Sequence, residues 1–210
     1  MQSNAGASTS GINPGAYEAW FNKPVGRYAG RAEKRLMARF FRIRPGGICL
    51  DAGCGTGHFT AALLESGEGV IALDRSSDML KYARSRYHVV DLVGGNVEAL
   101  PFVADSFDTV VMLTVLEFLE EPRAALAEIL RILKPSGQFV IGFLNRRSPW
   151  GILRQIRGLL GNLHWRKARL YSRGEILNLL NQAGFTPIKS ESVLSGSFVL
   201  TMGNKQPSMR

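Results

Sequence analysis

The stretch Ile48-Cys49-Leu50-Asp51-Ala52-Gly53-Cys54-Gly55-Thr56-Gly57 decides how the rest of the chain is read. A short apolar run ends in an acid, three glycines follow at alternate positions, and a helical pattern opens behind them. Glycine lacks a Cβ, so such a loop can turn tightly and let a ligand lie directly against it. The amides that open the helix favour electron-rich or anionic groups. The pattern reads as strand, ligand-binding turn and helix, the first unit of a parallel α/β sheet.

Val70-Ile71-Ala72-Leu73 is a second buried-strand run, and it ends in Asp74, 23 residues after Asp51. An acid at that point can accept both hydroxyls of a ribose lying across the two strand ends. Capping of the next helix is the simpler role for Asp74, but the glycine loop beside it weighs against that. Dinucleotide sites use Gly-x-Gly-x-x-Gly, with a pyrophosphate on the helix N-terminus. Here the third glycine comes one residue earlier, and Asp51 precedes the loop. A carboxylate there repels a pyrophosphate but suits an ammonium group. S-adenosylmethionine has an amino-acid end, a sulfonium, a ribose and an adenine but no phosphate, and it fits these residues better than a dinucleotide.

Further along come Gly95-Asn96-Val97-Glu98-Ala99-Leu100-Pro101-Phe102 and Asp105-Ser106-Phe107-Asp108-Thr109-Val110-Val111. Val115-Leu116-Glu117-Phe118-Leu119 and the run from Ile129 to Gly137 follow. With these the chain resembles the class I S-adenosylmethionine-dependent methyltransferases, specifically the type-11 group, closely over about residues 45–143. That group includes enzymes of ubiquinone and menaquinone synthesis and many small-molecule methylases. The resemblance implies that Asp51, Gly53 and Gly55 face the methionine part of the cofactor, within a loop that Cys54 and Gly57 complete. It implies that Asp74 binds the ribose, with Arg75 beside the adenine and Met79 in the same site. Asn96 and Val97 would bracket the adenine ring, and Leu113 and Thr114 would lie near the sulfonium. Relatives usually carry Asp where this chain has Asn96, whose amide oxygen can still accept from the adenine amino group.

At 210 residues, 45% hydrophobic and 20% charged, the chain reads as one globular domain with a substantial core. Residues 1–16 read as a disordered leader, 17–202 as a single methyltransferase domain, and 203–210 as a loose tail. No run of about 18 apolar residues is present, so no membrane span is expected and the cytoplasm is the expected location. Two cysteines make no disulfide framework, and His58, His88 and His164 show no metal-ligand spacing, so no metal is expected. Helices are expected at about 31–43, 57–66, 77–86, 122–133 and 173–183. Strands are expected at about 47–51, 69–74, 88–93, 107–113, 138–144, 185–191 and 193–202. The last two strands are joined too tightly for a crossover, so the final one must run antiparallel. The fold class is α/β, a three-layer doubly wound seven-stranded sheet, mostly parallel with one antiparallel strand.

Two segments can close over the carboxyl ends of the strands. One is an N-terminal lid over 17–43, with Tyr17, Trp20, Phe21 and Tyr28. The other is a cap insertion at 145–172, where Ile152, Leu153, Ile156, Leu159 and Leu160 form an apolar face. Arg154 and Arg157 lie on the opposite face, read as facing water. Much of the net charge of +9 sits in this cap, and peripheral membrane contact through 150–173 is one reading. A small-molecule acceptor, aromatic or lipid-associated, is the expected partner. Nucleic acid ranks below it, since there is no appended RNA-binding module and no base-methylation motif. Protein methylation and a non-catalytic cofactor-binding subunit remain alternatives. Glu117 is the named candidate for a general base, against the plainer reading of a surface carboxylate beside Glu120 and Glu121. Tyr17, His164 and Tyr171 are weaker candidates.

Overall fold

The run ahead of the glycine loop forms β1 (Cys49–Ala52), and all four of its residues are buried. A strand buried on both faces belongs inside a sheet. It lies between β2 (Val70–Asp74) and β4 (Phe107–Leu113), parallel to both. β3 (Asp91–Gly94) pairs in parallel with β2, and β5 (Leu133–Leu144) with β4. β7 (Phe198–Lys205) then inserts antiparallel between β5 and β6 (Phe185–Val193), for a sheet order of β3-β2-β1-β4-β5-β7-β6. The seven strands with one reversed strand agree with the fold class expected from the sequence. This computed structural model describes residues 13–40, 46–65, 69–86, 88 and 90–206.

Successive side chains of a strand face opposite sides of the sheet, and two cores result. Val110 and Met112 of β4 pack with Phe139 and Ile141 of β5 beneath α5 (Pro122–Ile132) and α8 (Arg173–Gln182). Val111 and Val140, from the same two strands, face α2 (Pro24–Phe40), which supplies Leu36, Met37 and Phe40. α3 (Thr60–Leu64) and α4 (Ser77–Arg86) follow β1 and β2 as the connections of a doubly wound sheet. No helix among the described residues is long and apolar enough to cross a membrane.

Several boundaries differ from the sequence-based expectation. The helix expected at 31–43 already begins at Pro24, and 41–43 lie outside the described part. The strands expected at 88–93, 138–144 and 193–202 are Asp91–Gly94, Leu133–Leu144 and Phe198–Lys205. The chain enters through α1 (Pro14–Asn22), where Asn13 caps the helix by accepting from the Ala16 amide at 3.2 Å. The leader expected over 1–16 therefore ends inside a helix, and residues 1–12 lie outside the described part. α3 begins at Thr60 rather than 57, because Gly55 and Gly57 hold positive φ and keep the chain turning. The tail expected from 203 is strand as far as Lys205, whose Nζ donates to Asp105 at 2.7 Å and to the Leu133 carbonyl at 2.6 Å. Residues 207–210 lie outside the described part.

Phe139 has no exposed surface, and its ring centroid stands 5.2 Å from that of Phe185. Truncation there removes a large apolar group from a close-packed layer. Phe139→Ala is expected to destabilise the protein by roughly 3–5 kcal/mol, read as a fall in the denaturant midpoint with an unchanged slope.

Candidate active site

Strand order reverses between β1 and β4, and in open α/β sheets that is where the carboxyl ends open a crevice. The glycine loop is sewn to the neighbouring strand, since the amides of Gly53 and Cys54 both donate to the Leu73 carbonyl, at 2.7 and 2.9 Å. Gly53 has φ +85°, and a Cβ there would stand 2.4 Å from Cγ2 of Val115. At Gly55 (φ +55°) a Cβ would meet nothing within 4 Å, so that backbone faces open space. Gly57 instead closes the turn, donating to the Cys54 carbonyl at 3.0 Å, and it does not line the crevice. Burial and the nearby charges of Asp51 and Asp74 push the Cys54 thiol well up, so it packs as a neutral side chain.

Two acids stand at the strand ends. Asp51 is buried and accepts from Thr60 Oγ1 at 2.6 Å. Burial pushes its carboxyl up to about 7; the Thr60 hydrogen bond opposes the rise and Asp74 adds to it. Asp74 accepts from the Gly55 amide and the Ser76 amide, each at 2.8 Å, and so fixes the loop as well as facing the cavity. Burial raises its pKa too, against the pull of those two amides. Arg75, Met79, Asn96, Val97, Leu113 and Thr114 all line the same cavity. Asn96 Oδ1 already accepts from the Glu98 amide at 3.1 Å, which leaves one lone pair for a ligand. Of the twelve residues expected to bind cofactor, all but Gly57 are on the wall.

The cavity measures about 530 Å³ and continues from these acids beneath a lid and a cap. Tyr17, Trp20 and Phe21 of α1 form part of its roof. α1 is latched to the glycine loop through Glu18, which is buried, accepts from Thr56 Oγ1 at 2.5 Å and pairs with Arg86. His58 Nδ1 stands 3.7 Å away, and its ring stacks on Phe21 with centroids 3.6 Å apart. Burial works against the Glu18 charge, but the hydrogen bonds from His58, Thr56 and Arg86 outweigh it and hold the carboxyl near 2.

The cap is α6 (Pro149–Leu159) with α7 (Leu163–Lys167), and α6 is turned the opposite way from the expectation. Ile152, Ile156, Leu159 and Leu160 are exposed, the last two at 88% and 81%. Arg154, read from sequence as facing water, is half-buried and lines the cavity, whereas Arg157 borders the cavity and stays exposed. A surface helix turns its apolar stripe to the core, but this one covers a cleft and buries only Gly151 and Gly158. Glu33, on the buried face of α2, also lines the cavity, and burial pushes its carboxyl up to about 7 against the pull of Arg154. Sequence reading missed Glu33, although its spacing from Leu36, Met37 and Phe40 puts an acid on the apolar face of its helix.

Glu117 differs from both of its expected roles. It is 1% exposed rather than a surface carboxylate, and it is absent from the cavity wall. Oε1 accepts from the Leu144 amide at 2.7 Å, which ties the turn after β4 to the end of β5. Of the other candidate bases, Tyr17 and His164 line the cavity and Tyr171 does not. Among the described residues, no group of three or more His, Cys, Asp or Glu could hold a metal. A separate groove along α2, lined by Arg27, Arg31, Arg35 and Arg39, shares no residue with the cavity.

Residues 50–141 match the Methyltransferase domain family of type 11. The chain belongs to the class I S-adenosylmethionine-dependent methyltransferases. An uncharacterised Mycobacterium tuberculosis protein is 36% identical over 193 residues, covering 90% of this chain and 64% of that one. The demethylmenaquinone methyltransferase of Renibacterium salmoninarum is 39% identical over 111 residues, 53% of this chain and 47% of the relative. The chain thus spans between about half and two thirds of the length of these relatives. Among solved structures, a Thermotoga maritima S-adenosylmethionine-dependent methyltransferase, named as a possible histamine N-methyltransferase, superposes with a TM-score of 0.80. It is 28% identical, with 91% of this chain and 95% of that one covered.

The wall suits the cofactor of this methyltransferase family on its own chemistry. Gly55 offers open backbone, and Asp51 is a buried acid that forms no salt bridge among the described residues. An ammonium beside Asp51 would favour its ionised form, which below about pH 7 is the minor one. S-adenosylhomocysteine is therefore expected to bind more tightly as pH rises from 6 to 8. Asp51→Asn should flatten that dependence and weaken binding on the order of 30-fold at pH 8, from about 2 kcal/mol for a charged hydrogen bond; calorimetry at several pH values reads both effects. Glu18→Gln is expected to speed amide exchange across Pro14–Asn22 while leaving the central strands protected, as hydrogen-exchange mass spectrometry would show.

Proposed function

We propose that this chain transfers a methyl group from S-adenosylmethionine to a small acceptor with an aromatic or otherwise apolar body, of a lipid-associated kind. The observation that carries this reading is the continuity of the cleft. One cavity runs from Asp51 and Asp74 to a chamber walled by Phe118, Leu119, Trp150, Leu153 and Trp165. The cofactor supplies an electrophilic methyl carbon bound to a positive sulfur. On this reading Asp51 holds its ammonium group and Asp74 accepts from the ribose hydroxyls. Arg75, Met79, Asn96 and Val97 flank the adenine, and Leu113 and Thr114 border the methyl position.

The protein's work is then to align the acceptor and keep water out. Tyr17 shares the cavity wall with Thr114, and burial pushes its hydroxyl well up, so it stays neutral beside the methyl position. For an acceptor that must lose a proton, His164 is better placed than Glu117. It lines the cavity, its Nδ1 is buried with no partner, and burial together with Arg154 lowers its pKa, leaving a neutral imidazole at pH 7. Glu117 on this reading positions the strand ends. The exposed Ile152, Ile156, Leu159 and Leu160, with Arg157, Arg166 and Lys167 nearby, support an acceptor met at an anionic lipid surface. The name of the quinone-modifying relative points the same way.

The test is calorimetric titration with S-adenosylmethionine and S-adenosylhomocysteine, followed by labelled methyl transfer to demethylated quinols and to aromatic carboxylic acids in phosphatidylglycerol vesicles, to histamine and to bulk RNA. Micromolar cofactor binding that Asp74→Ala weakens at least tenfold, with label entering an apolar small-molecule fraction, is the expected outcome. Label entering RNA alone would overturn the acceptor class, and failure of both cofactor forms to bind would overturn the activity.

A further inference from the structure

The cap brings into the cavity a guanidinium with one buried nitrogen, Nη1, that no hydrogen-bond acceptor meets among the described residues. Arg154 lies midway along α6 with its guanidinium carbon 5.1 Å from the centroid of the Trp165 ring. The side chain lines the cavity, and Nη1 is buried without an acceptor. Glu33 and Glu117 are near enough to act on its charge, yet Nη1 bonds to neither. Glu117 gives Oε1 to the Leu144 amide, and its Oε2 is buried and also unpartnered. A buried guanidinium N–H without an acceptor is costly, because it has lost water and gained nothing in exchange.

Apart from Glu33, His164 and the exposed Arg157, the wall near it is apolar. Phe118, Leu119, Trp150, Leu153 and Trp165 can enclose a hydrocarbon or an aromatic ring but cannot neutralise a cation. A neutral apolar ligand would complete their packing and leave Nη1 as it is. An ammonium-bearing ligand would add a second cation beside the first. A dianion such as a phosphate monoester would meet one half-buried guanidinium, since Arg157 on the same wall is exposed, and Glu33 and Glu117 act on that guanidinium as well. A carboxylate matches it, with one negative charge, an acceptor for Nη1 and a planar geometry suited to a guanidinium.

We propose that the methyl acceptor is an ionised carboxylic acid with an apolar or aromatic body, and that Arg154 holds its carboxylate and so selects and orients it. This rests on the methyltransferase reading above. Arg154 here is a specificity residue; it binds the acceptor and exchanges no atom with it.

Paired probes test the idea: indole-3-acetate, 4-phenylbutyrate and 2-naphthoate, each against its primary amide. They are titrated into the full chain by ligand-observed NMR, with and without saturating S-adenosylhomocysteine. In the wild type at least one acid is expected to bind tenfold or more tightly than its amide. Arg154→Met should remove that preference and Arg154→Lys should keep part of it. Arg166→Met, a charge of the same sign on the exposed side of the cap, should leave it intact. The affinity for S-adenosylhomocysteine should change less than twofold in Arg154→Met, which shows that the variant is folded. Acids and amides binding alike, the matching amines binding in preference, or no acid binding at all would each overturn the assignment. An acid preference that survives Arg154→Met would overturn the role of that residue. Failure to bind S-adenosylhomocysteine would count against the methyltransferase reading alone, because the acid preference is read separately in the cofactor-free titrations.

Discussion

The site hangs on one carbonyl. Leu73 O, near the end of β2, accepts from the amides of both Gly53 and Cys54, so the loop that leaves β1 is pinned across the neighbouring strand. That double bond is possible only because Gly53 has no side chain; the space of its Cβ is filled by Val115 from the turn after β4. Three strand ends are thereby locked together, and the acids ending β1 and β2 face one cavity. Asp74 adds a return tie by accepting from Gly55. A small displacement of this loop would move both acids and the exposed Gly55 backbone together, which is why the residues around it are buried and hydrogen-bonded rather than mobile.

Pre-organisation of this kind is held against the fold's own electrostatics. Asp51, Glu33 and Glu117 are each raised to about 7, in every case chiefly by burial. A carboxyl whose folded pKa lies above its unfolded value binds protons that the unfolded chain has released, so stability falls as pH rises from about 4.5 towards 7. Glu18 has the opposite sign. Held near 2, it contributes stability above about 4.5 that is lost as pH falls towards 2. The latch on the lid is therefore a net stabiliser at neutral pH, whereas the acids facing or backing the cavity are destabilising until a cation meets them. Asp51 can be compensated from the ligand side; Glu117 is walled off, with the Leu144 amide on Oε1 and Arg154 acting on it through charge alone.

Much of the fold and of the cavity wall at the strand ends was legible in the sequence because both follow from short-range rules. An apolar run before Asp51, glycines at 53, 55 and 57, and a second run ending in Asp74 demand a turn at a sheet edge whatever surrounds them. The reversed strand followed from the short link between two extended runs. α6 could not be oriented by the same reasoning. Its apolar stripe is real, but periodicity reports which residues share a face and not which face meets the protein, and a helix roofing a cavity need not bury its apolar side. Glu117 was misplaced because nearby Glu120 and Glu121 suggest an exposed acidic patch, while its partner, the Leu144 amide, lies 27 residues away in sequence. α1 was read as a lid without a helix because its cap, Asn13, lay inside a segment whose composition suggests disorder.

A division of labour follows from where each kind of information resides. The segment that matches the methyltransferase family, residues 50–141, contains nearly all of the cofactor wall and stops before the cap. The sheet must present the same few atoms to the same cofactor, so its residues are constrained by backbone geometry. The cap is anchored at its ends, where Ser148 caps α6 by accepting from the Gly151 amide at 2.9 Å and Asn145 bridges to Tyr171, and again where the Arg169 amide donates to the Glu117 carbonyl at 2.8 Å. Gly158 packs so close to the backbone of Trp165 and Arg166 that α6 and α7 pack as one plate. Whatever that plate carries inward is presented to the acceptor as a unit. In this chain it carries Arg154, His164 and two tryptophans to the cavity wall, so on the reading proposed above a half-buried guanidinium set beside aromatic rings, and not the shape of the sheet edge, would select the molecule held beside the methyl donor.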